Sequence, residues 1–189
     1  GRLLAPCWSD ESPGPLTWAP NPNWGKIQSS YALYSDDHGQ TWHHSANITT
    51  DATDECMAVE LSDGTPYMAM RSRQDKKCRA HSTSHDGGQS WSPAEYDTCL
   101  PEPSCQGSIL RDKSTIYLAH PSNPDDRTRL ALYHSLDDCQ TFSAPTILYE
   151  GPAAYSDLAA TDSHLLCLFE ADRSGRLVLA RIDTKHLSP

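Results

Sequence analysis

No apolar run in these 189 residues is long enough to cross a bilayer. The longest stretches, such as Leu165-Leu166-Cys167-Leu168-Phe169, fall far short of the ~20 residues a spanning helix needs. There is no basic excess. The net charge is -10, which argues against a general nucleic-acid binder, though not against a small anionic substrate held by a few local arginines. No Cys-x-x-Cys occurs and no Cys/His spacing suits zinc, so no metal site and no cofactor is expected. No stretch carries a long helical period, and no charged and apolar leader follows Gly1. The chain therefore reads as processed, trimmed or expressed as a piece of something longer.

Hydrophobic residues make up 37% and charged residues 21%, with five Trp and eight Tyr. That is too much aromatic surface for a disordered tract. The seven Cys are odd in number. Cys99 and Cys105 are close enough in sequence for a small disulfide loop, while buried free thiols are the plainer reading. One glycosylation sequon, Asn47-Ile48-Thr49, is present. Cytosolic, lysosomal and secreted locations all fit.

An octapeptide pattern, Ser-x-Asp-x-Gly-x-Thr-Trp, recurs. The first copy carries Ser35, Asp37, Gly39 and Trp42, and the second Ser84, Asp86, Gly88 and Trp91. The third carries Ser135, Asp137 and Phe142, with Cys139 in place of the glycine. The copies start 49 and 51 residues apart. Each follows a short apolar strand: Tyr31 to Tyr34, Cys78 to Thr83, and Leu130 to His134. The carboxylate can accept hydrogen bonds from the turn backbone, glycine permits a positive φ, and the aromatic can pack beneath the hairpin. Cys139 puts that geometry in question in the third copy.

A repeat of about 50 residues suits a four-stranded propeller blade. Further strands are expected at Met57 to Leu61, Pro66 to Arg71, Gly107 to Leu110, Thr115 to His120, Leu165 to Glu170 and Leu177 to Ile182. The fold class is all-β, with no internal linker. At this period the chain holds at most about four blades.

The octapeptide resembles the Asp box of sialidases and related β-propellers. Four further segments extend the likeness: Glu55-Cys56-Met57-Ala58-Val59-Glu60-Leu61 running on to Arg71, Ser104-Cys105-Gln106-Gly107, His120-Pro121-Ser122-Asn123 running on to Arg127, and Ala154-Tyr155-Ser156-Asp157-Leu158. In this order they resemble the C-terminal half of the catalytic domain of a family 33 exo-sialidase (neuraminidase), a six-bladed β-propeller. Residues 1–189 would be the C-terminal half to two-thirds of that propeller, opening on a strand like Gly1-Arg2-Leu3-Leu4-Ala5-Pro6.

The resemblance implies roles residue by residue. Tyr155 matches the nucleophile and Glu55 the carboxylate that takes its proton. Arg71 and Arg127 match the second and third arginines that bind the substrate carboxylate, with Arg129 as a competitor for the latter role. Gln106 and Trp8 match positions lining the sugar pocket; pocket-wall or core packing is their alternative. The residue types suit the chemistry. A sialic acid bears a carboxylate on its anomeric carbon, which would repel a carboxylate nucleophile, whereas a phenol approaches uncharged. Its ordinary pKa of about 10 calls for a nearby base. Arginine grips a carboxylate with a planar, permanently charged fork.

Other polar residues are expected to be structural. Glu60 should face outward, and Glu170 should end its strand in a supporting role. Arg73, Lys76, Lys77 and Arg79 should form a solvated loop, and the nine His, including His43-His44, should lie on the surface. The family also needs a first arginine and an aspartic general acid, and no residue here matches either. The implied activity is a retaining exo-α-sialidase acting on sialylated glycans, completed by an N-terminal half of the same propeller and inactive as this piece alone. A sialic-acid-binding lectin on the same scaffold, and a structural Asp-box propeller used for protein contacts, are the alternatives.

Overall fold

A computed structural model describes residues 1–11, 27–48, 52–183 and Lys185. These residues form thirteen β-strands. Thr49 of the sequon lies outside them.

The strands fall into four consecutive antiparallel units. The first is β1 (Leu3–Asp10), β2 (Gln28–Ser35) and β3 (His43–His44). The second is β4 (Thr53–Glu60), β5 (Pro66–Ser72), β6 (Cys78–Thr83) and β7 (Glu95–Pro101). The third is β8 (Ser108–Asp112), β9 (Thr115–Pro121), β10 (Thr128–Ser135) and the first half of β11 (Thr146–Ala160). The second half of β11 opens the fourth unit, with β12 (His164–Ala171) and β13 (Arg176–Asp183). This is the meander of a β-propeller, so the chain forms part of one.

Three apolar clusters fill the spaces between successive units. Ala32, Ile48, Met68, Met70 and Ala80 join the first to the second, with Leu4 and Trp91 against them. Tyr67, Leu100, Ile109, Ile116, Leu118 and Tyr133 join the second to the third, where Phe142 also packs. Leu130, Leu132, Leu165, Cys167 and Phe169 join the third to the fourth. Strands buried on both faces, such as β5 and β9, read as nearly continuous apolar runs. The outer face of the last unit leaves Leu168, Leu177 and Leu179 exposed.

The three octapeptides form one turn built three times. Ser35 Oγ donates to Asp37 Oδ1 at 2.8 Å and accepts the Gly39 N–H at 2.8 Å. Asp37 in turn accepts the Thr41 N–H at 2.8 Å and the Thr41 hydroxyl at 2.6 Å. Ser84/Asp86 and Ser135/Asp137 repeat this pattern. Two successive left-handed residues close each turn: His38-Gly39, Gly87-Gly88 and Asp138-Cys139. Cys139, at φ 63°, therefore keeps the geometry that its identity put in question. The aromatics differ. Trp91 and Phe142 pack into clusters, but Trp42 folds over its own turn, donates Nε1–H to the Gly39 carbonyl at 3.1 Å, and stays 45% exposed.

Several expectations need correction. All seven cysteines are free, so no Cys99–Cys105 loop forms; Cys99 is exposed and Cys105 buried. Arg79 belongs to no solvated loop: it lies on β6 and is 1% exposed. His120 is fully buried, stacked on Tyr133, and burial drives its pKa down to about 3. His43 and His44 are exposed against Tyr34 and Tyr31, as a surface pair should be. Strands β7 and β11 lack a clean alternation of apolar residues, because β7 is an outer strand and β11 serves two units.

Candidate active site

Two β-bulges build the site. Between Thr53↔Ser72 and Cys56↔Met70 the β4–β5 register slips, so Asp54 and Glu55 stand opposite Arg71 alone. Between Ala153↔Ala171 and Ser156↔Phe169 the β11–β12 register slips likewise, so Ala154 and Tyr155 stand opposite Glu170. A bulge re-aims the side chains it carries. The second one falls where β11 leaves one unit for the next, just after Pro152, which still stands opposite Thr128 of β10.

These bulges bring Tyr155, Glu55 and Arg71 together. The Tyr155 hydroxyl donates to Glu55 Oε1 in a short hydrogen bond. Arg71 Nη1 donates to Glu55 Oε2 at 2.6 Å and to the Tyr155 oxygen at 3.3 Å. The phenol oxygen thus sits between a proton acceptor and a positive charge. Burial first, then the hydrogen bond to Glu55, push its pKa up to about 12, against the pull of Arg71 and Arg127. At rest the phenol is neutral and its proton already points at a base. Arg71 is 8% exposed; burial works against its charge, yet the Glu55 hydrogen bond and the Asp54 charge raise its pKa overall.

Arg127 enters from the loop before β10. Its guanidinium carbon stands 5.7 Å from the centre of the Tyr155 ring, and Nη2 donates to the Ser104 carbonyl at 3.1 Å. Arg129, the competitor, turns away in a left-handed conformation and pairs at 3.8 Å with exposed Glu150. Gln106 grips the strand next to Tyr155: its Oε1 accepts the Ser156 N–H at 2.9 Å and its Nε2 donates to the Ser156 carbonyl at 3.0 Å. It also lines, with Tyr155 and Glu170, a cleft of about 300 Å³. A second cleft of about 270 Å³ lies on the Arg127 side. Neither takes in all of Glu55, Arg71, Arg127 and Tyr155: Tyr155 lines the first and Arg127 the second. Trp8 sits one strand away: it pairs with Ser30, whose hydroxyl donates to the Asp54 carbonyl at 2.8 Å. Glu60 is exposed, and Glu170 accepts the Ser174 hydroxyl.

Three contributors escaped the sequence. Asp54 is 2% exposed, accepts the Glu55 N–H, and stands 3.6 Å from Arg71 and 3.8 Å from Arg73. Burial raises its pKa and Arg71 opposes the rise. Ser104, at φ 55°, accepts Arg71 Nε at 3.3 Å and donates to the Ser72 carbonyl at 2.7 Å. Ser156 is anchored to Gln106 and to the Ala119 carbonyl. Asp54 stands beside the candidate base, and Ser104 and Ser156 lie inside the family-like segments, but no role attaches to any of the three there.

The BNR repeat-like domain family model matches residues 1–167. The chain belongs to that family. Sialidases are among the curated proteins it resembles. Human Sialidase-3 is 29% identical over 188 residues, a match covering 75% of this chain and 44% of that protein. A sialidase of Micromonospora viridifaciens is 30% identical over 139 residues, covering 68% and 21%. The chain thus spans less than half the length of either. Among solved structures, a Hadza microbial sialidase superimposes with a TM-score of 0.76 at 24% identity, over 84% of this chain and 33% of that one. A Trypanosoma rangeli sialidase in complex with the inhibitor DANA gives 0.69 at 20% identity, over 96% and 30%. At such identities these structures speak for the sialidase fold of this BNR-repeat chain.

Proposed function

We propose that this chain supplies the nucleophile, its base and two carboxylate-binding arginines of a retaining exo-α-sialidase. One observation carries the reading. Glu55 and Tyr155, 100 residues apart, share a hydrogen bond, and Arg71 touches both.

In the proposed reaction Arg71 and Arg127 hold the carboxylate of a terminal sialic acid. The Tyr155 oxygen attacks the anomeric carbon as Glu55 takes the phenolic proton. The bond to the aglycone breaks, and its oxygen takes a proton from an acid that this chain does not provide. A covalent tyrosyl-glycosyl species results. Water then attacks the same carbon and gives a proton back to the acid that protonated the aglycone, while the phenolate leaves and takes its proton from Glu55. Arg71, 3.3 Å from the phenol oxygen, offsets the negative charge that develops there. The neutral resting phenol keeps a second anion away from the substrate carboxylate, a task that a carboxylate nucleophile would fail.

The remaining groups are assigned to an N-terminal portion of the same propeller. The exposed Leu168, Leu177 and Leu179 offer it an apolar face, and the relatives are more than twice as long. Sialylated glycans are the proposed substrates. A fluorogenic sialoside offered to the full-length protein should release sialic acid continuously, with the product formed first in the α configuration. Binding without turnover would replace the enzyme by a lectin. Residues 1–189 alone should give no turnover, and native mass measurement should find them bound to the N-terminal portion when both are present.

A further inference from the structure

Behind the arginines lies a second charge pair that contacts no solvent. Arg79 on β6 and Glu102 after β7 are each 1% exposed and stand 3.6 Å apart. A buried ion pair is weak evidence of stability, since desolvation offsets much of the attraction. This pair has a different product. Arg79 Nη1 donates to the Cys105 carbonyl at 2.6 Å, and Glu102 Oε2 accepts the Cys105 N–H at 2.8 Å. Cys105 is thus gripped at both its backbone polar groups. Arg79 Nε and Nη2 have no hydrogen-bond partner among the described residues, so the guanidinium spends its contacts on this one segment. The packing is close: a Cβ on Gly107 would stand 3.1 Å from the Arg79 guanidinium carbon and 3.0 Å from the Ala119 carbonyl and the His120 Cβ.

The two neighbours of Cys105 do the holding. Ser104 meets Arg71 through its hydroxyl and Arg127 through its carbonyl. Gln106 binds both backbone groups of Ser156, next to Tyr155. Both arginines therefore share one support, and that support hangs from Arg79 and Glu102.

We infer that Arg79 and Glu102 are positioning residues, which set the separation of Arg71 and Arg127 through Ser104. The inference rests on the reading of those two arginines as the substrate-carboxylate clamp. In the full-length protein, Arg79→Lys keeps the charge but loses the fork. It should raise KM for a sialoside about tenfold while kcat stays within about threefold. Glu102→Gln, whose amide oxygen can still accept the Cys105 N–H, should raise KM less. A purely structural role predicts the opposite split: kcat falls with the folded fraction and KM is unchanged, which would overturn the inference. Should Arg79→Lys fail to fold, Ser104→Ala removes the hydroxyl contacts to Arg71 and to the Ser72 carbonyl, keeps the backbone contact to Arg127, and should show the same split, about threefold in KM. The crystal structure of whichever variant folds reads the placement without activity. The Arg127–Ser104 contact should open after Arg79→Lys, and the Arg71 guanidinium should move from its place once the Ser104 hydroxyl is gone after Ser104→Ala. Retention of both arginines within about 0.5 Å of their places would overturn the inference. Silence of wild-type protein in the sialoside assay would count against the proposed activity alone, and the structural comparison would still decide this one.

Discussion

In the three Ser-x-Asp turns, the side-chain hydrogen bonds that define the motif reach partners two to four residues away. Around Tyr155 the partners are 84 and 100 residues away, and around Gln106 they are 50. The carboxylates differ in the same way. Asp37 is half-buried and Asp86 exposed, and hydrogen bonds from Thr41 and Ser90, the hydroxyl foremost, hold their pKa values down at about 2. Asp54 and Glu102 are buried, and burial raises theirs against the pull of arginines. The turns are closed locally, by buried serine hydroxyls and by carboxylates that water can still reach. The site is closed by topology, with charges that the fold must compensate. Changes in one region should therefore leave the other largely intact.

The largest expected effect isolates the site. Tyr155→Phe removes one oxygen and should lower kcat/KM for a sialoside in the full-length protein by about 10³-fold or more. The melting temperature should hardly move, since Tyr155 is only half-buried and its ring is kept. Activity within tenfold of wild type would remove Tyr155 from the proposed role and break the division between site and scaffold. Glu55→Gln should cost about 10²-fold, the scale of one proton-transfer group. Its pH–rate profile should lose the limb that reports the base. An unchanged profile would mean that the phenolic proton leaves by another route.

The turns should show the converse. Ser84 is 1% exposed, and its hydroxyl accepts the Gly88 N–H at 2.7 Å. Ser84→Ala leaves that donor buried without a partner, at a cost of about 1–2 kcal/mol. Denaturant melts should detect this while kcat/KM of the folded enzyme stays put. A fall in kcat/KM would mean that the turns transmit to the site after all. Acid provides a graded version. The Asp37, Asp86 and Asp137 pKa values are lowered in the fold, so their contribution is complete above the unfolded value of about 4. It is lost as pH falls through about 2. Melting temperature should drop across that window, and Asp86→Asn should make the drop shallower. An unaltered slope would show that the turn carboxylate is not what acid attacks.

This contrast also explains what could be read from the chain. A Ser, an Asp two positions on and a Thr or Ser four further on form a closed set of donors and acceptors, so their turn is visible in any one copy and compelling in three. Glu55, Arg71, Arg127 and Tyr155 are visible only through likeness to a family, because no local rule joins residues 100 positions apart. Arg79 shows the limit. It follows Lys76, Lys77 and Cys78 in a charged stretch, and nothing local distinguishes it from its solvated neighbours. Its burial is decided by Glu102, by the Cys105 carbonyl and by the absence of a side chain at Gly107. The two bulges are equally silent in sequence. One lies inside the second unit, between β4 and β5, and the other where β11 passes from the third unit to the fourth, and they are what turns Glu55 and Tyr155 toward each other.

The smallest expected effect tests how the third turn tolerates a residue that the other two avoid. Cys139 occupies a left-handed conformation at φ 63°, which costs a residue with a side chain about 1–2 kcal/mol relative to glycine. Against that, its thiol packs on the cluster of Ile109, Tyr133 and Phe142. Burial pushes the thiol pKa up to about 12, as expected of a group that serves as an apolar wedge. Burying such a side chain returns about 1 kcal/mol. The two contributions largely cancel, so Cys139→Gly should change stability by no more than about 1 kcal/mol. Gly39→Ala, which adds the strain without a comparable cluster to fill, should cost about 1 kcal/mol. A gain well above 1 kcal/mol for Cys139→Gly would mean that packing fails to offset the strain. A loss of similar size would make the thiol a core residue first and a turn residue second. Either result would set the third turn apart from the other two, which share its hydrogen bonds but draw on glycine to close them.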